Sequence, residues 1–87
     1  MNIYIAEFLG TFLLVFIILS TGNYLAIGAA LSLGILLAGP ISGAAFNPVV
    51  VIILSVAGKL NPKEIIPYII SEILGGLVAY ELYKILI

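Results

Sequence analysis

The sequence predicts an all-α membrane protein built from three transmembrane helices and one re-entrant half-helix. Three observations carry that reading. Of 87 residues, 64% are hydrophobic and 8% charged, with a mean hydropathy of +1.40. A soluble domain of this size cannot hide so much apolar surface. Apolar stretches of spanning length recur along the chain, and between the second and third stands Asn47-Pro48, leading an apolar run too short to cross a bilayer.

The first span is expected over Ile3 to Leu19, interrupted by Glu7, Gly10 and Thr11. The residues before Glu7 carry no basic cluster and no cleavage-site pattern follows, so this stretch reads as a retained helix and not as a removed leader. Ser20-Thr21-Gly22-Asn23 is a turn of small polar residues. Tyr24 to Ala38 is the second span, which Gly39-Pro40 is expected to end. Gly39 to Phe46 is then expected to be unwound.

Asn is among the best N-cap residues, and Pro is favoured at the first helical position, where its missing N–H costs nothing. A helix should therefore start at Asn47 and run to about Ala57, where Gly58-Lys59-Leu60-Asn61-Pro62 stops it. Such a helix is about 15 Å long, half of a ~30 Å hydrocarbon core. Lys59 to Lys63 is a polar connection, and Glu64 to Ile87 is the third span. Ala6 and Gly10, then Ala30, Gly34 and Ala38, then Gly75 and Ala79 lie four apart, a spacing that lets helix backbones approach closely. The five tyrosines fall near span ends, as an interfacial belt places them, and no further role is assigned to them. Lys59 and Lys63 share a side with the amino terminus and Lys84 lies opposite, a thin positive-inside margin. Glu81 and Lys84 read as an interfacial pair.

Composition excludes several functions. A net charge of −1 with three cationic residues, all Lys, leaves no nucleic-acid footprint. Without Cys or His there is no disulfide framework, no Cys/His metal site and no imidazole base. No nucleophile–base set is present, so no enzyme and no cofactor are expected.

What remains is a constellation near the midplane. As an N-cap, Asn47 uses its side-chain oxygen and leaves its NH₂ free to donate to a solute. The half-helix dipole places about half a positive charge at that tip, which repels cations. Unwound carbonyls, among them those of Gly43, Ala44 and Ala45, survive at membrane depth only if buried in protein or lining a wet cavity. Glu7 and Glu72 are ionisable groups within spans and usually face a bundle interior. The favoured role for both is support of the unwound loop; a proton relay is the alternative.

These residues resemble the aquaporin, or major intrinsic protein, family. Ala6-Glu7-Phe8-Leu9-Gly10-Thr11-Phe12 is similar to the family's first-helix signature. Gly39 to Pro48 resembles the stretch ending in its Asn-Pro-Ala box, and Pro67 to Gly75 resembles its third helix. The resemblance covers essentially the whole chain and implies half of an inverted repeat, residues 1–87 forming a single half-channel unit. It implies a passive channel for water or small neutral solutes such as glycerol, in a multi-pass integral membrane protein. The Asn-Pro box is Asn47, Pro48 and Val49, with Val49 replacing Ala. The selectivity filter maps to Ile27, Ala44 and Val50, with Val50 where the second family repeat has an arginine. Glu72 stands where the family usually has Gln. One such unit cannot enclose a pore, so the implied partner, besides lipid, is a second half-unit: an antiparallel copy or a separately encoded half, with further association of pores left open. The rival readings are a non-conducting partner of full-length channels and a remnant.

Overall fold

A computed structural model describes residues 1–87 as an all-helical chain. Its elements are α1 (Ile3–Thr21), α2 (Tyr24–Ser42), the short α3 (Pro48–Val56), a 3-10 turn (Pro62–Glu64) and α4 (Ile65–Leu86). Three of these segments, Ile3–Thr21, Tyr24–Ser42 and Pro62–Leu86, are long and apolar enough to cross a membrane. At 1.5 Å per residue α1 and α2 are each about 28 Å long, whereas α3 is about 14 Å.

Local chemistry sets most boundaries. Each of the chain's asparagines caps a helical element: Asn2 α1, Asn23 α2, Asn47 α3 and Asn61 the 3-10 turn. In each case the side-chain oxygen accepts a first-turn N–H that has no partner inside the helix. Gly22, at φ 55°, closes α1 in the left-handed conformation that glycine adopts without steric cost. After α3, Gly58 is also left-handed and the Lys59 N–H returns to the Leu54 carbonyl, a Schellman-type stop.

Two boundaries differ from the expectation. Ser20 and Thr21 belong to α1, because their hydroxyls bond back to the Phe16 and Ile17 carbonyls, each at 2.7 Å. More consequentially, α2 does not end at Gly39-Pro40 but carries Pro40 inside it and runs to Ser42. Proline forfeits one backbone bond, yet the last turn is anchored from outside. Ser42 donates its hydroxyl to Glu7 at 2.6 Å, Tyr68 donates to the Ser42 carbonyl at 2.8 Å, and the Gly43 N–H closes on Gly39 at 2.9 Å. The non-helical segment is therefore Gly43 to Phe46, half the expected length.

α1 is the central helix, packing on both α2 and α4. It starts beside α4: the Tyr4 and Tyr68 rings meet edge to face at 5.9 Å, and the Tyr4 hydroxyl donates to Glu64. The amino terminus and the Lys59–Lys63 connection thus share one end of the bundle. Further along, a Cβ at Gly75 would lie 2.4 Å from the Phe8 carbonyl, so only glycine permits this approach of α4 to the α1 backbone.

The other small-residue rows serve a different purpose from simple helix–helix contact. A Cβ at Gly10 would fall 2.0 Å from the Phe46 ring, and one at Gly34 would fall 2.8 Å from it. Phe46 therefore sits in the seam between α1 and α2, in a cluster with Ala6, Ala38 and Ala44. Gly34 lies about 12 Å back along α2 from Ser42. The loop after α2 consequently turns back into the bundle and delivers Asn47 to mid-depth.

Candidate functional site

The site is the tip of α3 and the loop that carries it. The loop backbone is contorted: Gly43, Ala44 and Phe46 all have positive φ, at 82°, 51° and 54°. For Ala44 and Phe46 this conformation is unfavourable and persists only if the surroundings hold it. Glu7 does so. It is completely buried, and its carboxylate accepts from the Ser42 hydroxyl at 2.6 Å, the Ala45 N–H at 3.2 Å and the Phe46 N–H at 2.9 Å. The Ala44 N–H is taken by the Ser42 hydroxyl oxygen at 3.2 Å. Charge-assisted bonds of this kind are about twice as strong as neutral ones.

With its N–H groups turned inward, the loop keeps its carbonyls uncommitted. The Gly43, Ala44 and Ala45 carbonyls accept no hydrogen bond within the chain, whereas the Ser42 carbonyl is held by Tyr68. Gly43 is exposed, while Ala44 and Ala45 are buried.

Asn47 follows with extended backbone, φ −154°. Its Oδ1 accepts the Val49 N–H at 2.8 Å, and its NH₂ makes no bond within the chain. The residue is exposed, as are Pro48, Val49 (65%) and Val50 (40%). Of the α3 residues only Val51 is fully enclosed, in a cluster with Ala45 and Tyr68 that fixes the half-helix against α4. The first turn of α3 thus presents a polar tip, with a helix dipole behind it, on an otherwise open apolar face.

Glu72 is also buried, at 2% exposure, on the α4 face that includes Tyr68, Gly75 and Ala79. Neither of its oxygens has a hydrogen-bond partner within the chain. Ile27 is half-buried one turn into α2. It stands about 10 Å beyond Gly34 along the helix, on the far side of the Phe46 level from Ala44. Ala44 is buried in the loop, and Val50 is exposed on the first turn of α3.

Three residues that position the site lie within the quoted motifs but receive no individual role from the sequence. Ser42 relays between Glu7 and the loop, Tyr68 holds the end of α2 in place of an interfacial role, and Phe46 sets the insertion depth. For Phe46 the glycines at 10 and 34 are the available clue, since two small residues facing each other across a seam leave room for a ring. Glu81 and Lys84 form an exposed i,i+3 ion pair at 3.0 Å, remote from the site.

The major intrinsic protein family model matches residues 1–87. Similar relatives include the "Glycerol uptake facilitator protein-like 6" of Lactiplantibacillus plantarum, 40% identical over 93 residues, covering 97% of this chain and 43% of that protein. "Aquaporin Z" of Photorhabdus laumondii is 39% identical over 89 residues, covering 85% of this chain and 38% of that protein. "Aquaglyceroporin AqpS" of Rhizobium meliloti is 32% identical over 89 residues, with 84% and 38% covered. The chain spans less than half the length of these curated relatives.

Proposed function

Because the chain belongs to the major intrinsic protein family, we propose that this integral membrane protein forms one half of a passive channel for water or small neutral solutes of the glycerol class. The pore is completed by a second unit of opposite membrane sense, whether continuous with this chain, separately encoded or a second copy. The names of the relatives support the solute class, since they speak of aquaporins and glycerol uptake.

One observation carries the reading: the loop spends its N–H groups on Glu7 and Ser42, leaving the Gly43, Ala44 and Ala45 carbonyls and the Asn47 NH₂ uncommitted at mid-depth. At membrane depth, bare carbonyls are tolerated where they line a wet cavity. A neutral solute in single file donates to the carbonyls and then accepts from Asn47. The positive end of α3, opposed by its counterpart in the second unit, excludes cations and interrupts a proton wire. Pro48 fixes the start of the half-helix. A filter assembled from Ile27, Ala44 and Val50 of two copies has an apolar rim without a cation, which favours breadth of solute over selectivity for water.

The test is an osmotic step applied to vesicles holding the purified protein, with insertion verified. Faster volume change than in empty vesicles, lost in Asn47→Asp, is expected. Permeability equal to that of empty vesicles for both proteins overturns channel activity for this chain and leaves the non-conducting partner.

A further inference from the structure

A cavity of about 480 Å³ opens at the end of the bundle that holds the amino terminus and the Lys59–Lys63 connection. Its walls come from the start of α1, the end of α2, α3, the connection and the 3-10 turn with the start of α4. Small-molecule sites commonly measure about 300–1,000 Å³ and combine apolar walls with a few placed polar groups. This cavity has that make-up. Ile3, Leu54 and Leu60 supply apolar wall, and Lys59, Asn61 and Glu64 supply polar side chains.

The fold leaves those polar groups partly free. Lys59 is exposed and pairs with no carboxylate, the chain's ion pair being Lys84 with Glu81. Asn61 commits its oxygen to the Lys63 N–H at 2.9 Å, while its NH₂ makes no bond within the chain. Glu64 accepts the Tyr4 hydroxyl on Oε2, and its Oε1 is open. Tyr68 also lines the cavity, but its hydroxyl is committed to the Ser42 carbonyl. Two donors and one acceptor therefore border an apolar wall.

The chemistry of the occupant follows. The formal charges of Lys59 and Glu64 cancel, so an ion of either sign meets a like charge as well as an opposite one. A hydroxyl both donates and accepts, so a neutral molecule carrying several can donate to Glu64 and accept from Lys59 and Asn61. Its carbons then lie against Ile3, Leu54 and Leu60. Water alone makes no use of that wall.

We propose that this cavity is a saturable binding site for a small neutral polyol, whose hydroxyls are held by Lys59, Asn61 and Glu64, and that it loads the loop carbonyls. Gly43, the first of the residues with an uncommitted carbonyl, is among its lining residues. As a binding site it stands by itself; as a vestibule it rests on the channel reading above.

The test measures binding. The full chain, methyl-labelled and held in lipid nanodiscs, is titrated with glycerol and followed by NMR. The Leu54 and Leu60 methyl signals should shift along a saturating curve, while those of Leu36, exposed on α2 and outside the cavity, stay still. Lys59→Ala should weaken glycerol binding about tenfold, as the loss of one hydrogen bond to a charged group does. Glu64→Gln, which keeps an oxygen for Tyr4, should also weaken it. Acetate and tetramethylammonium should bind less well than glycerol. A shift that rises linearly with glycerol overturns the site, as does a curve unchanged in Lys59→Ala and Glu64→Gln alike. Tighter binding of either ion than of glycerol overturns it too. Osmotic flux on the same preparations separates the two readings: saturation without flux supports the site and removes the channel, and flux without saturation removes the site and leaves the channel.

Discussion

Glu7 accepts the N–H of Phe46 at 2.9 Å across 39 positions of sequence, and that bond fixes where Asn47 stands. The carboxylate is one turn into α1, the phenyl ring lies against glycines of α1 and α2, and the next residue caps a helix that points back toward the starting surface. The loop that carries the α3 tip is held by this one buried side chain.

Removing that carboxyl group should be severe. Glu7→Leu leaves the Ala45 and Phe46 N–H groups and the Ser42 hydroxyl buried without their acceptor, at a cost of about 1–3 kcal/mol for each donor left unsatisfied. Glu7→Gln keeps one oxygen but turns an NH₂ toward donors, so it should recover only part of the loss. Denaturant unfolding in mixed micelles measures both.

The Phe46 seat gives a second expectation. A methyl group at Gly10 meets the ring at 2.0 Å and one at Gly34 at 2.8 Å. The ring is flanked on both sides and cannot swing clear. Gly10→Ala should therefore destabilise more than Gly34→Ala, against an overpacking cost of about 1–3 kcal/mol. Combining Gly10→Ala with Phe46→Leu should restore stability beyond the sum of the single changes, because the two residues share one space.

Asn47 separates structure from permeation. Asn47→Ala removes the cap and should cost about 1 kcal/mol. Asn47→Ser retains an oxygen for the Val49 N–H but lacks the free NH₂. It should melt close to wild type while osmotic permeability falls, and equal permeability would remove the amide from the conduction path.

Tyr68→Phe tests the anchor at the end of α2. It deletes the donor to the Ser42 carbonyl and should lower stability by about 1–3 kcal/mol, the cost of an unsatisfied buried acceptor. Protease sensitivity should rise first around Gly43 to Phe46, the segment this anchor holds.

How much of this was legible in the sequence follows from the range of each interaction. The N-caps, the Asn47-Pro48 start and the glycine stops depend on neighbours a few residues away, so the helices and the half-length α3 are readable directly. The same local rule reads Pro40 as an end, yet Pro40 is carried inside α2, because Glu7 and Tyr68 hold Ser42 from 35 and 26 positions away. Phe46 and Tyr68 were opaque for the same reason. An aromatic in an apolar sequence shows its role only when its partner is known, and the rows at Gly10 and Gly34 look identical whether a helix or a ring fills them. Glu72 was visible as a buried acid, but its lack of any ordinary partner required coordinates.

Permeation requires that the exposed first turn of α3 face water and not lipid. The chain contains no cysteine, so single thiols can be introduced without background. Val49 and Leu36 are comparably exposed in this chain, at 65% and 71%, and a water-soluble methanethiosulfonate distinguishes their surroundings. In vesicles, Val49→Cys should react at a rate comparable with the surface control Lys59→Cys, and its modification should block osmotic flux, while Leu36→Cys stays inert. A thiol at 49 as unreactive as the one at 36 would contradict permeation.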